Sequence, residues 1–459
     1  MLPKTYISKW TIFFVVAFSA FVFCFMGLHN NFPLLFNDTG TYINSGFSYN
    51  IPKDRPIIYG LFIHFSSLSE SLWLVIYLQS LILSYVLYKL FSRFLQGKQL
   101  LITLLVFVFT TTLLTGVSVC ASQLMPDVFT PVCIIILALF LTTNTEMSRI
   151  EFWLLFLIGV FAIGVHNSHG VTCLLIVAAW VIWQFINSKQ SLVFKQFFQR
   201  TGIVLSMIIA GMFLNNITSL ALGQGFFPPS GSHVFMMGRL SEEGLLDSYL
   251  HEKCAEKNYR ICGYKDSIPV NFIWDYKKSP LYKTGGWQAN EQEYRTIITD
   301  ILTTPKYFKK FAIRSFENWW VQLCSFNTGD TPFLGSNDRA YQALQAHYPD
   351  YLRQYESSFQ FRNLLNYDFI NQAQIIFVML CVLFVIIYFI NSPPVLMREF
   401  SACIFILFSG IIFNALVCPT LSTVSSRYES RVIWLIAIPV FIIVGKSKWA
   451  EKIFANNNN

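Results

Sequence analysis

Apolar runs of membrane-crossing length recur along this chain, and that feature leaves few folds open to it. They lie at about 10–28, 71–91, 101–118, 128–144, 152–165, 171–187, 202–222, 372–391, 401–417 and 432–446. Several approach the ~20 apolar residues that a helix needs to cross a ~30 Å hydrocarbon core. In lipid, every backbone N–H and C=O must be paired internally, so only helices and closed barrels span. The alternating pattern of a barrel strand is absent, which leaves helices. Composition agrees: 13% of residues are charged and 54% hydrophobic, whereas soluble domains are about a quarter charged. The expected fold is an all-α polytopic membrane protein with about ten spanning helices. No small-residue cleavage site follows the first run, so it reads as a retained anchor and not a signal peptide.

Charge predicts orientation through the excess of Lys and Arg on the inner side. With the N-terminus inside, the inner segments carry thirteen basic residues, from Lys4 to Lys452. Only four acids oppose them: Glu146, Glu151, Glu399 and Glu451. The short outer segments carry Lys53, Arg55, Arg427 and Arg431 against Asp38, Asp54, Glu70, Asp127 and Glu429. The long segment 223–371 is balanced. The net charge of +8 is therefore spread over short inner loops, which argues against a nucleic-acid partner. The expectation is a multi-pass protein of the inner (cytoplasmic) membrane, surrounded by membrane lipids, with both termini cytoplasmic and one large domain outside.

Three regions follow: an N-terminal transmembrane module at 1–222, an extracytoplasmic domain at 223–371, and C-terminal helices with a tail at 372–459. The middle region trades Phe/Leu/Ile runs for charges, Pro228-Pro229, Gly285-Gly286 and scattered aromatics. It reads as mixed but mainly helical, with helices over 288–316, broken at Pro305, and over 337–366, opened by a capping Asn337-Asp338 pair. Cys254 and Cys262 form a possible disulfide in this oxidising setting, with Cys324 left over; the remaining Cys sit in or beside spans as small hydrophobes. The run Asn456–Asn459 reads as a frayed tail. Arg55-Pro56 opens a helix from about Pro56 to Phe65 lying along the outer interface, since Pro suits a first helical turn.

Every short outer loop carries unusual polar groups. The first holds Asn37-Asp38-Thr39-Gly40, the second Gln123 and Asp127, the third His166-Asn167-Ser168-His169-Gly170, and the last Arg427-Tyr428-Glu429-Ser430-Arg431. Ionisable groups at spanning depth are costly and are functional candidates by default. Each has a plainer reading. Asp38 sits in good turn chemistry, and Asp127 beside Pro126 suits a helix cap. His166 and His169, spaced i, i+3, can bind metal or simply hydrogen-bond in their loop. Arg427 and Arg431 share a helix face, either as snorkelling interfacial residues or as a phosphate clamp.

The order of these motifs resembles the C-type (GT-C) membrane glycosyltransferases, in particular the branch related to aminoarabinose transferase and protein mannosyltransferases. The matching features are Asp38 in the first outer loop and the Arg-Pro-x-x-Tyr-Gly run from Arg55 through Tyr59 to Gly60. Gln79 in the second span, Met125-Pro126-Asp127 and the late Arg427–Arg431 run follow in order. The resemblance covers about 1–220 and 370–446. The first loop has Asn-Asp where several subfamilies have paired acids.

The resemblance implies a polyprenyl-phosphate sugar donor and a lipid, glycan or protein acceptor. Asp38 would be the general base; Arg55, Arg427 and Arg431 would meet the departing phosphate, with Tyr59, His166, His169 and Tyr428 as further substrate contacts. Asp127 would orient the acceptor or join Asp38 in holding a divalent metal; no other cofactor is implied. The outer domain would select the acceptor, with Trp274, Trp287, Trp319 and Trp320 as either sugar platforms or core and interface residues. The competing readings are a transporter or flippase and a polysaccharide polymerase or ligase acting on lipid-linked glycans. No inverted repeat or broken helix pair favours the transporter.

Overall fold

The computed structural model describes residues 7–142, 147–187, 194–223, 225, 231–391 and 398–447. Lys4, Glu146, Pro228, Pro229, Glu451, Lys452 and Asn456–Asn459, named above, lie outside the described residues. Apart from one isolated bridge between Leu34 and Gln123, every regular element among the described residues is a helix. In chain order they are α1 (Lys9–Phe23), α2 (Phe25–Asn30), α3 (Thr39–Ser48), α4 (Ile58–Ser67), α5 (Leu72–Phe91), α6 (Gly97–Leu114), α7 (Val117–Ser122), α8 (Phe129–Thr142), α9 (Arg149–Gly164), α10 (Asn167–Asn187) and α11 (Phe194–Ala221). Then come α12 (Ser232–Glu242), α13 (Leu245–Lys253), α14 (Pro280–Lys283), α15 (Gly286–Ala289), α16 (Glu291–Thr303), α17 (Pro305–Cys324), α18 (Arg339–His347) and α19 (Pro349–Glu356). The chain closes with α20 (Asp368–Asn391), α21 (Arg398–Leu421), α22 (Ser426–Ser430) and α23 (Ala437–Gly445).

Among the described residues, seven helical runs are long and apolar enough to cross a membrane: Leu72–Phe91, Gly97–Leu114, Asn167–Ile186, Gln196–Ala221, Asp368–Asn391, Phe400–Leu421 and Ser426–Gly445. The other three expected spans are shorter. The first breaks at Cys24, so α1 has 15 residues and rises only about 22 Å before α2 resumes. The helical run Pro126–Thr142 and the 16-residue α9 are similarly short.

The whole of α8 is buried. Its residues 132–141, Val-Cys-Ile-Ile-Ile-Leu-Ala-Leu-Phe-Leu, are apolar on all sides, which suits a helix at the centre of a bundle. It packs against α5, α9 and α21. Deleting one such side chain, as in Ile135→Ala, would cost about 2–5 kcal/mol through lost transfer energy and a cavity.

The loop after α2 is more structured than turn chemistry implied. It folds as α3, which crosses α4 so closely that a Cβ on Gly46 would lie 2.1 Å from the Gly60 carbonyl oxygen. The expected helix from about Pro56 to Phe65 exists as α4, and its Ile58, Tyr59, Gly60 and Ile63 are buried against neighbours.

The region 223–371 divides between two cores. Val234, Leu246, Tyr249, Tyr294, Ile297 and Ile301, on α12, α13 and α16, make a separate apolar cluster. On α16 the buried positions 294, 297 and 301 fall on one helical stripe. Residues 334–355 instead join the main core, where Leu334, Leu344 and Tyr355 meet Phe32, Leu35 and Tyr42 of the first loop. The expected 288–316 helix becomes α16 and α17, with Pro305 opening the second and extending it to Cys324. Cys254 and Cys262 are disulfide-bonded, and Cys324 is free and exposed.

Candidate functional site

Asp127 sits in a 3-10 turn at Pro126–Val128, where its side chain caps nothing. It is buried, 3% exposed, and its Oδ1 accepts a hydrogen bond from Arg431 Nη1 at 3.0 Å. Arg431 is held on three sides. Its Nη2 donates to Asn414 Oδ1 at 2.8 Å and approaches Cys418 Sγ at 3.2 Å, both on α21, and its guanidinium lies 5.2 Å from the Tyr428 ring. Neither Arg427 nor Arg431 snorkels to an interface. The run expected as an outer loop folds inward as α22, because Asn414 pairs with the Tyr428 carbonyl and with Glu429 Oε2. Glu429 is wholly buried, with Oε1 unpartnered.

Arg427 is the less committed guanidinium. It stacks on Phe36 at 3.9 Å from the ring centroid, and its Nε is 4.0 Å from Asp127 Oδ1, beyond hydrogen-bond range. Its buried Nε and Nη1 have no hydrogen-bond partner among the described residues. Unpaired donors of this kind are costly to bury, and here they border a cavity. Gln123, Asp127, Thr328, Gly329, Asp330, Arg427, Ser430 and Arg431 line it, with Val119 and Cys120. The space open to water centres is about 20 Å³, room for a water and little more.

The second charged group lies beside it. Asp38 occupies the cap position of α3 without capping; its Oδ1 accepts from Arg55 Nη2 at 2.9 Å. Arg55 also binds Asp54 Oδ2 and lies 5.1 Å from the Tyr42 ring. Asp38 is within electrostatic reach of Arg427, consistent with the Phe36 stack two residues earlier, and keeps 28% of its side chain exposed.

Tyr59, His166, His169 and Tyr428 do not line the cavity. Tyr59 is fully buried and donates to Gln79 Oε1 at 2.9 Å; Gln79 in turn donates to the Ala121 and Gln123 carbonyls. His169 belongs to α10, with Nδ1 at Ala162 O (2.6 Å) and Nε2 at Thr130 Oγ1 (2.7 Å). His166 Nδ1 meets Ser168 Oγ at 2.8 Å. Burial, then His169 and Arg431, hold His166 well below the ordinary imidazole value, so it stays neutral. Of the tryptophans, Trp287 packs on the separate apolar cluster of α12, α13 and α16 and Trp319 Nε1 donates to Ile412 O, while Trp274 and Trp320 are half exposed.

Among the described residues, no three His, Cys, Asp or Glu gather as a metal-binding group. Asp38 and Asp127 are each already engaged by a guanidinium. This donor set does not fit a divalent metal, which asks for several free oxygens.

Residues from the segment 326–360 complete the site, and the sequence reading missed them. Gly329 has φ +111°, a left-handed conformation, and a Cβ there would lie 2.4 Å from the Tyr367 ring. Glycine is thus required for the turn that brings Asp330 over the cavity. Asp330 keeps much of its surface exposed, yet the protein crowding its carboxyl raises its pKa, against the pull of Arg427. Gln360 binds the loops together. Its Oε1 accepts from Leu35 N at 3.0 Å, and its Nε2 donates to Leu35 O at 2.8 Å and Pro332 O at 3.0 Å. The signals were present: Asn327-Thr328-Gly329-Asp330 repeats the turn chemistry around Asp38, and Asn414 interrupts an apolar run.

The chain matches no family model, no curated protein and no solved structure.

Proposed function

We propose that the protein is a membrane glycosyltransferase of the GT-C kind, moving a sugar from a polyprenyl-phosphate donor to an acceptor at the outer face of the cytoplasmic membrane. On this reading α1–α2, the Pro126–Thr142 run and α9 join the seven longer runs as ten spans. The excess of Lys and Arg in the opposite loops supports the orientation. One observation carries the reading: Arg427 presents two buried guanidinium nitrogens, unpartnered among the described residues, to a cavity, within electrostatic reach of Asp38 and its partner Arg55.

The chemistry balances with these groups. The acceptor hydroxyl oxygen bonds to the anomeric carbon as the carbon–oxygen bond to phosphate breaks. The electron pair leaves on the polyprenyl phosphate, whose growing charge Arg427 meets with fork-like donors. The acceptor proton passes to Asp38, the more exposed carboxylate. Asp127 serves by holding Arg431, not by reacting. A cavity of water size also requires that Thr328–Asp330 move aside before a donor enters.

The test uses the protein in lipid nanodiscs with extracted polyprenyl-phosphate sugars, following sugar loss from the donor. Asp38→Asn should lower turnover by about 10²–10⁴-fold, and Arg427→Ala should weaken donor binding. Equal turnover by wild type and Asp38→Asn refutes the assignment. Vectorial movement of intact donor by the Asp38→Asn protein would favour a transporter instead.

A further inference from the structure

Beyond the charged cavity, we propose that the cleft formed by Phe333, Ser336, Asn337, Asp338, Tyr341 and Phe361 binds an uncharged saccharide. The acceptor role assigned to that saccharide rests on the transferase reading; the binding itself does not.

The cleft is open and of about 360 Å³, within the range of small-ligand sites. Its aromatic wall is a group of tilted rings: Phe333 and Phe361 centroids are 5.1 Å apart, and Tyr341 and Phe361 are 6.3 Å apart. Phe333 is 52% exposed, so its ring is open to a ligand. Ser336, Asn337 and Asp338 form the polar side, and among the described residues no Lys or Arg lines the cleft. Three aromatic faces beside a rim of hydroxyl, amide and carboxylate match a ligand with an apolar C–H face and a hydroxylated edge, which describes a sugar ring. The missing cation argues against a phosphate or another anion, and the polar rim against an acyl chain.

The platform is held in place before any ligand arrives. Asp338 Oδ2 accepts from Gly335 N at 2.7 Å, Tyr341 OH donates to Glu356 Oε1 at 2.6 Å, and Tyr355 OH donates to Leu334 O at 3.0 Å. Gly335 leaves room for the ring, since a Cβ there would lie 3.0 Å from Phe333 Cε1. Such ordering lowers the entropy lost on binding. The cleft is also placed for transfer. Phe333 follows Asp330 of the charged cavity by three residues, so their Cα atoms are at most about 11 Å apart. An acceptor chain held on Phe333 can therefore reach the Asp38 side without leaving the protein.

The test is saturation-transfer NMR on the full chain in nanodiscs, free of glycoside detergents. The probes are methyl glycosides of glucose, galactose, mannose and N-acetylglucosamine. At least one should receive saturation. The signal should drop about three- to tenfold in Phe333→Ala, as expected for loss of an aromatic contact. It should survive in Phe333→Trp and Asp38→Asn, and Asn337→Ala gives a second probe remote from the core. No transfer to any probe, or equal signals in wild type and Phe333→Ala, overturns the proposal. If wild type consumes donor while Phe333→Ala keeps its acceptor KM, the acceptor role of the cleft is overturned and the transferase stands. If binding is lost in Phe333→Ala but wild type consumes no donor, the site stands and the transferase reading fails.

Discussion

Replacing Arg431 with alanine strands Asp127 in the protein interior. The two side chains are 1% and 3% exposed and 3.0 Å apart, so bulk water does not reach the carboxylate, and Arg427 Nε at 4.0 Å still attracts it but is too distant to donate. Breaking a buried pair of this kind costs about 3–5 kcal/mol, against about 0–1 for an exposed one. Arg431 also releases Asn414 Oδ1, which places the expected loss in the upper half of that range. Asp127→Ala leaves two neighbouring guanidinium groups without their shared carboxylate and should cost a similar amount. The double variant removes this pair but still leaves Arg427 without the carboxylate, and should lose clearly less than the sum of the two single losses. The assay is equilibrium unfolding in mixed micelles for wild type, Arg431→Ala, Asp127→Ala and the double variant. If the single losses add to within about 0.5 kcal/mol, the two residues are not coupled and the charged core described here is wrong.

Gln360→Ala should remove the amide that joins Leu35 to Pro332, costing about 1–3 kcal/mol for the groups left unpaired; hydrogen exchange should rise at residues 33–36 and 330–334 together. Gly329→Ala should cost about 1–3 kcal/mol in backbone strain and displace the Tyr367 ring, read as a lower unfolding temperature. The pKa of His251 is raised by its bond to the Asp247 carbonyl and then by Asp266. Its contribution to stability is therefore complete below imidazole's ordinary value of about 6.5 and is lost as pH rises through the higher folded value. The thermal stability gap between wild type and His251→Gln should narrow over that interval, and a gap independent of pH would refute it.

The helical class was legible because lipid permits so few solutions, and apolar runs such as 372–391 state it directly. The site was only partly legible. Asp127, Arg427 and Arg431 stood out as ionisable groups beside apolar runs, and all three line the cavity. Their inward placement did not show, because the Asn414 contacts that draw Tyr428 and Glu429 inward are long-range. The same holds for Asp38: the local pattern Asn-Asp-Thr-Gly describes a turn, and only Arg55, 17 positions away, turns the carboxylate from cap to ion pair. Tyr59 read as a substrate contact for lack of any way to see that Gln79 holds its hydroxyl. The division of 223–371 between two cores was hidden for a related reason. Residues 334–355 have the same mixed composition as 234–301 but pack on a loop some three hundred positions earlier.

That distance has a consequence for how the chain is made. The backbone of Leu35 meets its amide partner on Gln360 across 325 positions. At about 5–20 residues per second of synthesis, the first loop waits roughly 16–65 s for the residue that fastens it. During that interval the loop bearing Asp38 is threaded and exposed but unfinished. The charged site is thus among the last parts of the molecule to close, after most of the helices that surround it are in place.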